Sequence, residues 1–186
     1  MSGQKGFTLI EILISITVLA VLVSMAIPAM SGLMSRNQIK TAANQFQDSL
    51  RQIRYESRTR GNTIITLCAI KNSTRDNTIN CDANIGFKYG WIWYSGTELL
   101  GKTYIDDDNV TISVGTSPTS ANSKFASIDF RKGRPTLKNS GGTNISVPYN
   151  STAPLIYPSL TFSADNAPTS IVIFDETGRT RVEHGQ

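Results

Sequence analysis

Histidine is almost missing from this chain: His184, close to the end, is the only one. A Ser-His-Asp relay has no internal histidine to use, no phosphate-cradling loop is visible, and a histidine-based metal cluster has nothing to build on. The sequence therefore reads as a non-enzyme with no cofactor and no metal. Cysteine is nearly as scarce, with Cys68 and Cys81 alone, and a metal site on those two is disfavoured because His184 lies so far along the chain. Charge is thin as well, 17% of residues, while Ser, Thr, Asn and Gly abound. That balance suits a β-rich extracytoplasmic domain better than a cytosolic enzyme. The formal net charge of +4 is mildly basic, which is compatible with a polyanionic partner but does not demand one. The acidic run Asp106-Asp107-Asp108 reads as a solvated loop rather than a divalent-cation site.

What is present begins at the start of the chain. Residues 7–26 form an apolar run 20 residues long. At about 1.5 Å per residue a helix of that length spans a hydrocarbon core of roughly 30 Å. It holds a single charge, Glu11, and an ionised carboxylate within lipid costs at least roughly 2.5 kcal/mol, so Glu11 is expected to have a use. Lys5 precedes the run, which by the positive-inside tendency places residue 1 in the cytoplasm and the C-terminus outside. In an oxidising compartment Cys68 and Cys81 pair; two buried free thiols are the alternative.

Beyond Pro28 the helical pattern continues. Ile39, Ala42, Ala43, Phe46, Leu50 and Ile53 recur at spacings of three and four, one apolar stripe, while Arg36, Lys40, Arg51, Arg54 and Arg58 take other faces. Gly61-Asn62 supplies the stop. The expectation is one long helix over about residues 7–60, with a bend available at Pro28. From Thr63 the period changes. Strands are expected at 63–68, 90–94, 110–114, 125–130, 135–137, 159–162, 170–174 and 179–183, which together suggest an antiparallel sheet or sandwich. Segments 117–123 and 139–150 are expected to be long loops. The fold class is α+β. The organisation is a short first segment (1–6), an N-terminal helix (7–60, with 7–27 in the membrane) and a β-rich domain (61–186).

The ordered set Gly6, Phe7, Thr8, Leu9, Ile10 and Glu11 resembles the class III signal peptide of type IV pilins and type II secretion pseudopilins. An ordinary secretory signal has its apolar segment before the cleavage site, whereas here Gly6 lies ahead of it. The later motifs, Thr66-Leu67-Cys68, Cys81, Gly90-Trp91-Ile92-Trp93-Tyr94 and Gly178-Arg179-Thr180-Arg181, resemble in their order the GspH/FimT domain of minor pilins. The resemblance implies cleavage between Gly6 and Phe7 by a prepilin peptidase, and N-methylation of the new Phe7 amine. It further implies anchorage in the bacterial inner membrane with a periplasmic domain, and later a place in a pilus or its tip complex. The implied partners are the major pilin, other minor pilins and the inner-membrane assembly platform. An H pseudopilin of type II secretion is the alternative from the same resemblance.

Three sets of residues are candidates for chemistry. Glu11 would pair with the Phe7 amine of a neighbouring subunit, each charge offsetting part of the other's burial. Arg179 and Arg181 would share one strand face, and arginine offers paired donors to phosphate oxygens. The GRxR pattern here resembles one linked to DNA capture in FimT proteins, so double-stranded DNA is a candidate partner, with a hairpin of solvated arginines as the plainer reading. Lys132 and Arg134, flanking Gly133, form a similar exposed pair. The helix arginines Arg51, Arg54, Arg58 and Arg60 read as a solvated or subunit-contacting edge. Trp91, Trp93 and Tyr94 read as core packing rather than base-stacking platforms.

Overall fold

Thr8 opens the helix. Its backbone is extended (φ −82°, ψ 152°) and its hydroxyl receives the N–H of Glu11, after which α1 runs over Leu9–Thr59, 51 residues. The helix stops at Arg60, whose N–H donates to the Glu56 carbonyl, and Gly61 follows at φ 76°, the left-handed closing conformation expected of it. In this computed structural model residues 7–71, 78–79, 81, 86–105, 109–115, 125–139, 141–145, 159–165, 167–174 and 179–185 are described, with the backbone alone at 26–29 and 125. Gly6, Asp106-Asp107-Asp108, the 117–123 segment and Gly178 lie outside the described residues.

The two halves of α1 have opposite surroundings. Every residue from Phe7 to Met25 is exposed, whereas Ile39, Ala43, Phe46, Leu50 and Ile53 are fully buried. Among the described residues no single helix is long and apolar enough to cross a membrane. The pieces Leu9–Met25 and Met30–Thr59, inclined by 42° at a break containing Pro28, pass that test together by length and composition. Proline removes an N–H from the helix ladder and is a common cause of such a bend.

The remaining elements are strands: β1 (Ile65–Ala69), β2 (Gly90–Ser95), β3 (Glu98–Tyr104), β4 (Thr111–Val114), β5 (Phe125–Arg131), β6 (Arg134–Asn139), β7 (Asn144–Ile145), β8 (Ser159–Ser163), β9 (Ser170–Phe174) and β10 (Thr180–His184). They form two antiparallel sheets, one ordered β3-β2-β1-β5-β6-β7 and the other β10-β9-β8-β4. The buried stripe of α1 packs on both. Phe46 shows how: its ring lies 5.0 Å from Trp91 on β2, 6.1 Å from Phe162 on β8 and 6.4 Å from Phe174 on β9. Alternation then sets the faces. Ile65, Leu67 and Ala69 turn to this core, while Cys68 and Ile70 turn to the opposite face of the larger sheet and meet Ile92 in a second apolar cluster.

Two strands were not anticipated. β3 has a glycine in mid-strand and no clean alternation, so periodicity does not mark it; Gly101 leaves room for the Trp93 ring on the neighbouring strand. The 139–150 segment, expected as a loop throughout, contains β7. Asn139 turns the chain there, its side chain accepting from the N–H groups of Gly141 and Thr143, and Ile145 packs on the main core opposite Leu137.

Candidate functional site

At the start of α1 the side chain of Glu11 folds back on Thr8. One carboxylate oxygen accepts from the Thr8 N–H and from the Thr8 hydroxyl, each at 2.9 Å, while the Glu11 N–H donates to Thr8 Oγ1 at 3.3 Å. This is a reciprocal capping box, whose local signature is the Thr-x-x-Glu spacing of residues 8–11. Farther along, the hydroxyls of Ser15, Thr17 and Ser24 each donate to a helix carbonyl three or four residues earlier. The polar side chains of the apolar half are thereby satisfied within the helix, which is what a lipid or dry protein environment requires.

Cys68 and Cys81 are joined, with Cα atoms 5.6 Å apart. Cys68 is buried on the outer face of β1, Cys81 is exposed, and the bridge pins residue 81 beside Ile70. Trp91 and Trp93 are buried, as expected of core residues, while Tyr94 is half-buried on the other face, 3.8 Å from Cys81 Sγ. His184 shares a hydrogen bond with Ser170 Oγ at 2.8 Å. Among the described residues no cluster of three or more His, Cys, Asp or Glu side chains could hold a metal ion. An open groove of about 440 Å³ between α1 and the end of β3 is lined by amides and apolar side chains, including Met34, Asn37, Gln38, Gln45, Tyr104 and Ile105.

The basic candidates fall on two sheets with α1 between them. Arg181 is exposed on β10 and ion-paired to Glu183 at 3.0 Å; Arg179, just ahead of the strand, is exposed. Where β10 begins, the Thr180 carbonyl accepts from Gln47 Nε2 at 3.4 Å. Lys132 and Arg134 are exposed at the β5–β6 turn. Both turn residues take positive φ, 50° at Lys132 and 78° at Gly133, which matches a type I′ hairpin. The turn docks on the far end of the helix: the buried Gly133 N–H donates to Ser57 Oγ at 2.7 Å. Gln47 and Ser57 are separated by ~15 Å along α1, so the two basic pairs meet the helix at different levels and on different sheets. On α1 itself Arg51 meets Asp48 at 2.8 Å and Arg60 meets Glu98 at 2.8 Å. The hydrogen bond to Glu98 holds the Arg60 guanidinium above its usual pKa.

With the geometry in place, comparison with known proteins gives three results. The family model of the prokaryotic N-terminal methylation motif matches residues 1–27. Against curated protein sequences the chain has no match. Among solved structures it is similar to the type IV minor pilin FimU of Pseudomonas aeruginosa in two crystal forms. The alignments have 14% identity in each case, TM-scores of 0.49 and 0.46, and cover 81% and 77% of this chain and 92% and 91% of those.

Proposed function

We propose that this chain is a minor type IV pilin. A prepilin peptidase removes residues 1–6, the Phe7 amine is methylated, and residues 7–27 hold the chain in the inner membrane with residues 61–186 in the periplasm. The chain then enters a pilus or its tip complex beside the major pilin and other minor pilins. Its role is structural rather than catalytic. The observation that carries this reading is the methylation motif over residues 1–27, set on a helix whose first half is apolar and uncovered while its second half is the spine of a β domain. A contiguous exposed apolar surface of that kind calls for lipid or for other copies of such a helix. Within that role Glu11 pairs with the methylated amine of a neighbouring subunit, and Lys132, Arg134, Arg179 and Arg181 contact the backbone of double-stranded DNA.

Mass spectrometry of the native chain, purified from cells with an active processing enzyme, tests the first step. The expected mass is that of a chain beginning at N-methylated Phe7. A retained leader removes the basis of the proposal.

A further inference from the structure

The two basic pairs differ in how far their charge is already answered. Arg181 has Glu183 at 3.0 Å, Arg179 is engaged within the chain, and Arg51, the nearest helix arginine, has Asp48 at 2.8 Å. The β5–β6 end is different. Arg131 and Arg134 are direct partners across the strand pair, so their side chains leave the same face, opposite to the face that buries Ile128 and Phe130. Lys132 stands at the tip between them. Arg58 of α1 lies against Gly133 so closely that a Cβ there would collide with its side chain. All four cations are exposed, and among the described residues none of them has a carboxylate partner.

Like charges placed opposite one another across strands are destabilising. The fold nevertheless holds this group together, through the Gly133–Ser57 hydrogen bond and the fully buried Phe130 beside it. The negative end of the helix dipole accounts for Arg58, which lies in the last turn, but not for the three cations on the hairpin. An anion shared among those three accounts for them, while Arg58 lies on the core-facing side of the turn. The tip, Arg131-Lys132-Gly133-Arg134, offers three cations and no aromatic side chain, so the partner it suits is an anion. Lipid headgroups bordering the membrane segment are out of reach, because Ser57 lies ~45 Å along α1 from residue 27. Guanidinium forks fit phosphate oxygens two at a time.

We infer that Arg131, Lys132 and Arg134 form the principal contact for the phosphate backbone of double-stranded DNA, ahead of Arg179 and Arg181. This rests on the DNA-binding reading above. It is tested with the full chain in detergent micelles, a fluorescent duplex oligonucleotide and a salt series. Lys132→Asn combined with Arg134→Gln is compared with Arg179→Gln combined with Arg181→Gln; asparagine tolerates the positive φ of the turn. Tryptophan fluorescence and an intact disulfide confirm the fold of each variant. Each lost phosphate contact lowers the slope of log affinity against log salt by about 0.9, so the hairpin variant is expected to flatten it by about 2 and to weaken binding at least about tenfold. The C-terminal variant is expected to weaken binding and flatten the slope less than the hairpin variant does. A hairpin variant that binds like wild type while the C-terminal variant does not would overturn the inference and leave DNA binding standing. Wild-type chain with no salt-sensitive retention would overturn both.

Discussion

The indole N–H of Trp91 donates to the Ser49 hydroxyl at 2.9 Å, inside the core, and that hydroxyl in turn donates to the Gln45 carbonyl at 2.9 Å. One small side chain on α1 thus satisfies the polar atom of the largest fully buried residue on β2. Serine in a buried stripe looks like a defect in the pattern, yet alanine there would fit the period and orphan the indole.

Ser49→Ala is therefore expected to destabilise the β domain by about 1–3 kcal/mol, the cost of a buried donor left without an acceptor. Urea unfolding followed by tryptophan emission measures it. A midpoint equal to wild type would mean that the indole finds another acceptor.

Gly101 offers a second test of packing. The Trp93 ring lies over it, and a Cβ at residue 101 would overlap ring carbons. Gly101→Ala is expected to cost about 1–3 kcal/mol through overpacking and to change the Trp93 emission. The effect should spread to β3, whose register with β2 already shifts between Trp93 and Tyr94. Unchanged stability and emission would show that the ring moves aside freely.

These two positions mark where sequence reading works and where it stops. The stripe from Ile39 to Ile53 and the alternation of Trp91, Ile92 and Trp93 express burial directly as period, so the helix and β2 were legible. β3 was not, because its glycine serves a ring on another strand, a tertiary fact with no local signature. β7 was not, because two residues cannot display a period. At the candidate site the individual arginines were readable. What the sequence withheld was docking: Ser57 against Gly133, and Gln47 against Thr180, become neighbours only when the helix packs on the sheets.

The Cys68–Cys81 bridge spans a sequence separation of 13 and ties an exposed position to the apolar outer face of the larger sheet. Loop-closure entropy for a ring of that size is worth about 3 kcal/mol in the chain-entropy model. Cys68→Ala with Cys81→Ala is expected to lower the unfolding free energy by about that amount. Dithiothreitol should do the same to wild type, since Cys81 is accessible. A reduced chain with an unshifted urea midpoint would show that the bridge adds nothing to the stability of the domain.

Glu11 carries two roles that substitution can separate. Within the chain it completes the capping box with Thr8; in the proposed filament its charge meets the Phe7 amine of a neighbour. Glutamine at the same position can still reach back to the Thr8 N–H but brings no charge, whereas leucine supplies neither. If the charge governs assembly, Glu11→Gln and Glu11→Leu both insert in the membrane and both fail to appear in sheared pili, as judged by quantitative immunoblot of the filament and membrane fractions. If the cap governs it, Glu11→Gln enters pili at the wild-type level and only Glu11→Leu is excluded. Because an uncompensated carboxylate in a dry helix bundle is costly, the first pattern is expected; the second would reduce Glu11 to a helix cap and remove intersubunit pairing from the assembly mechanism.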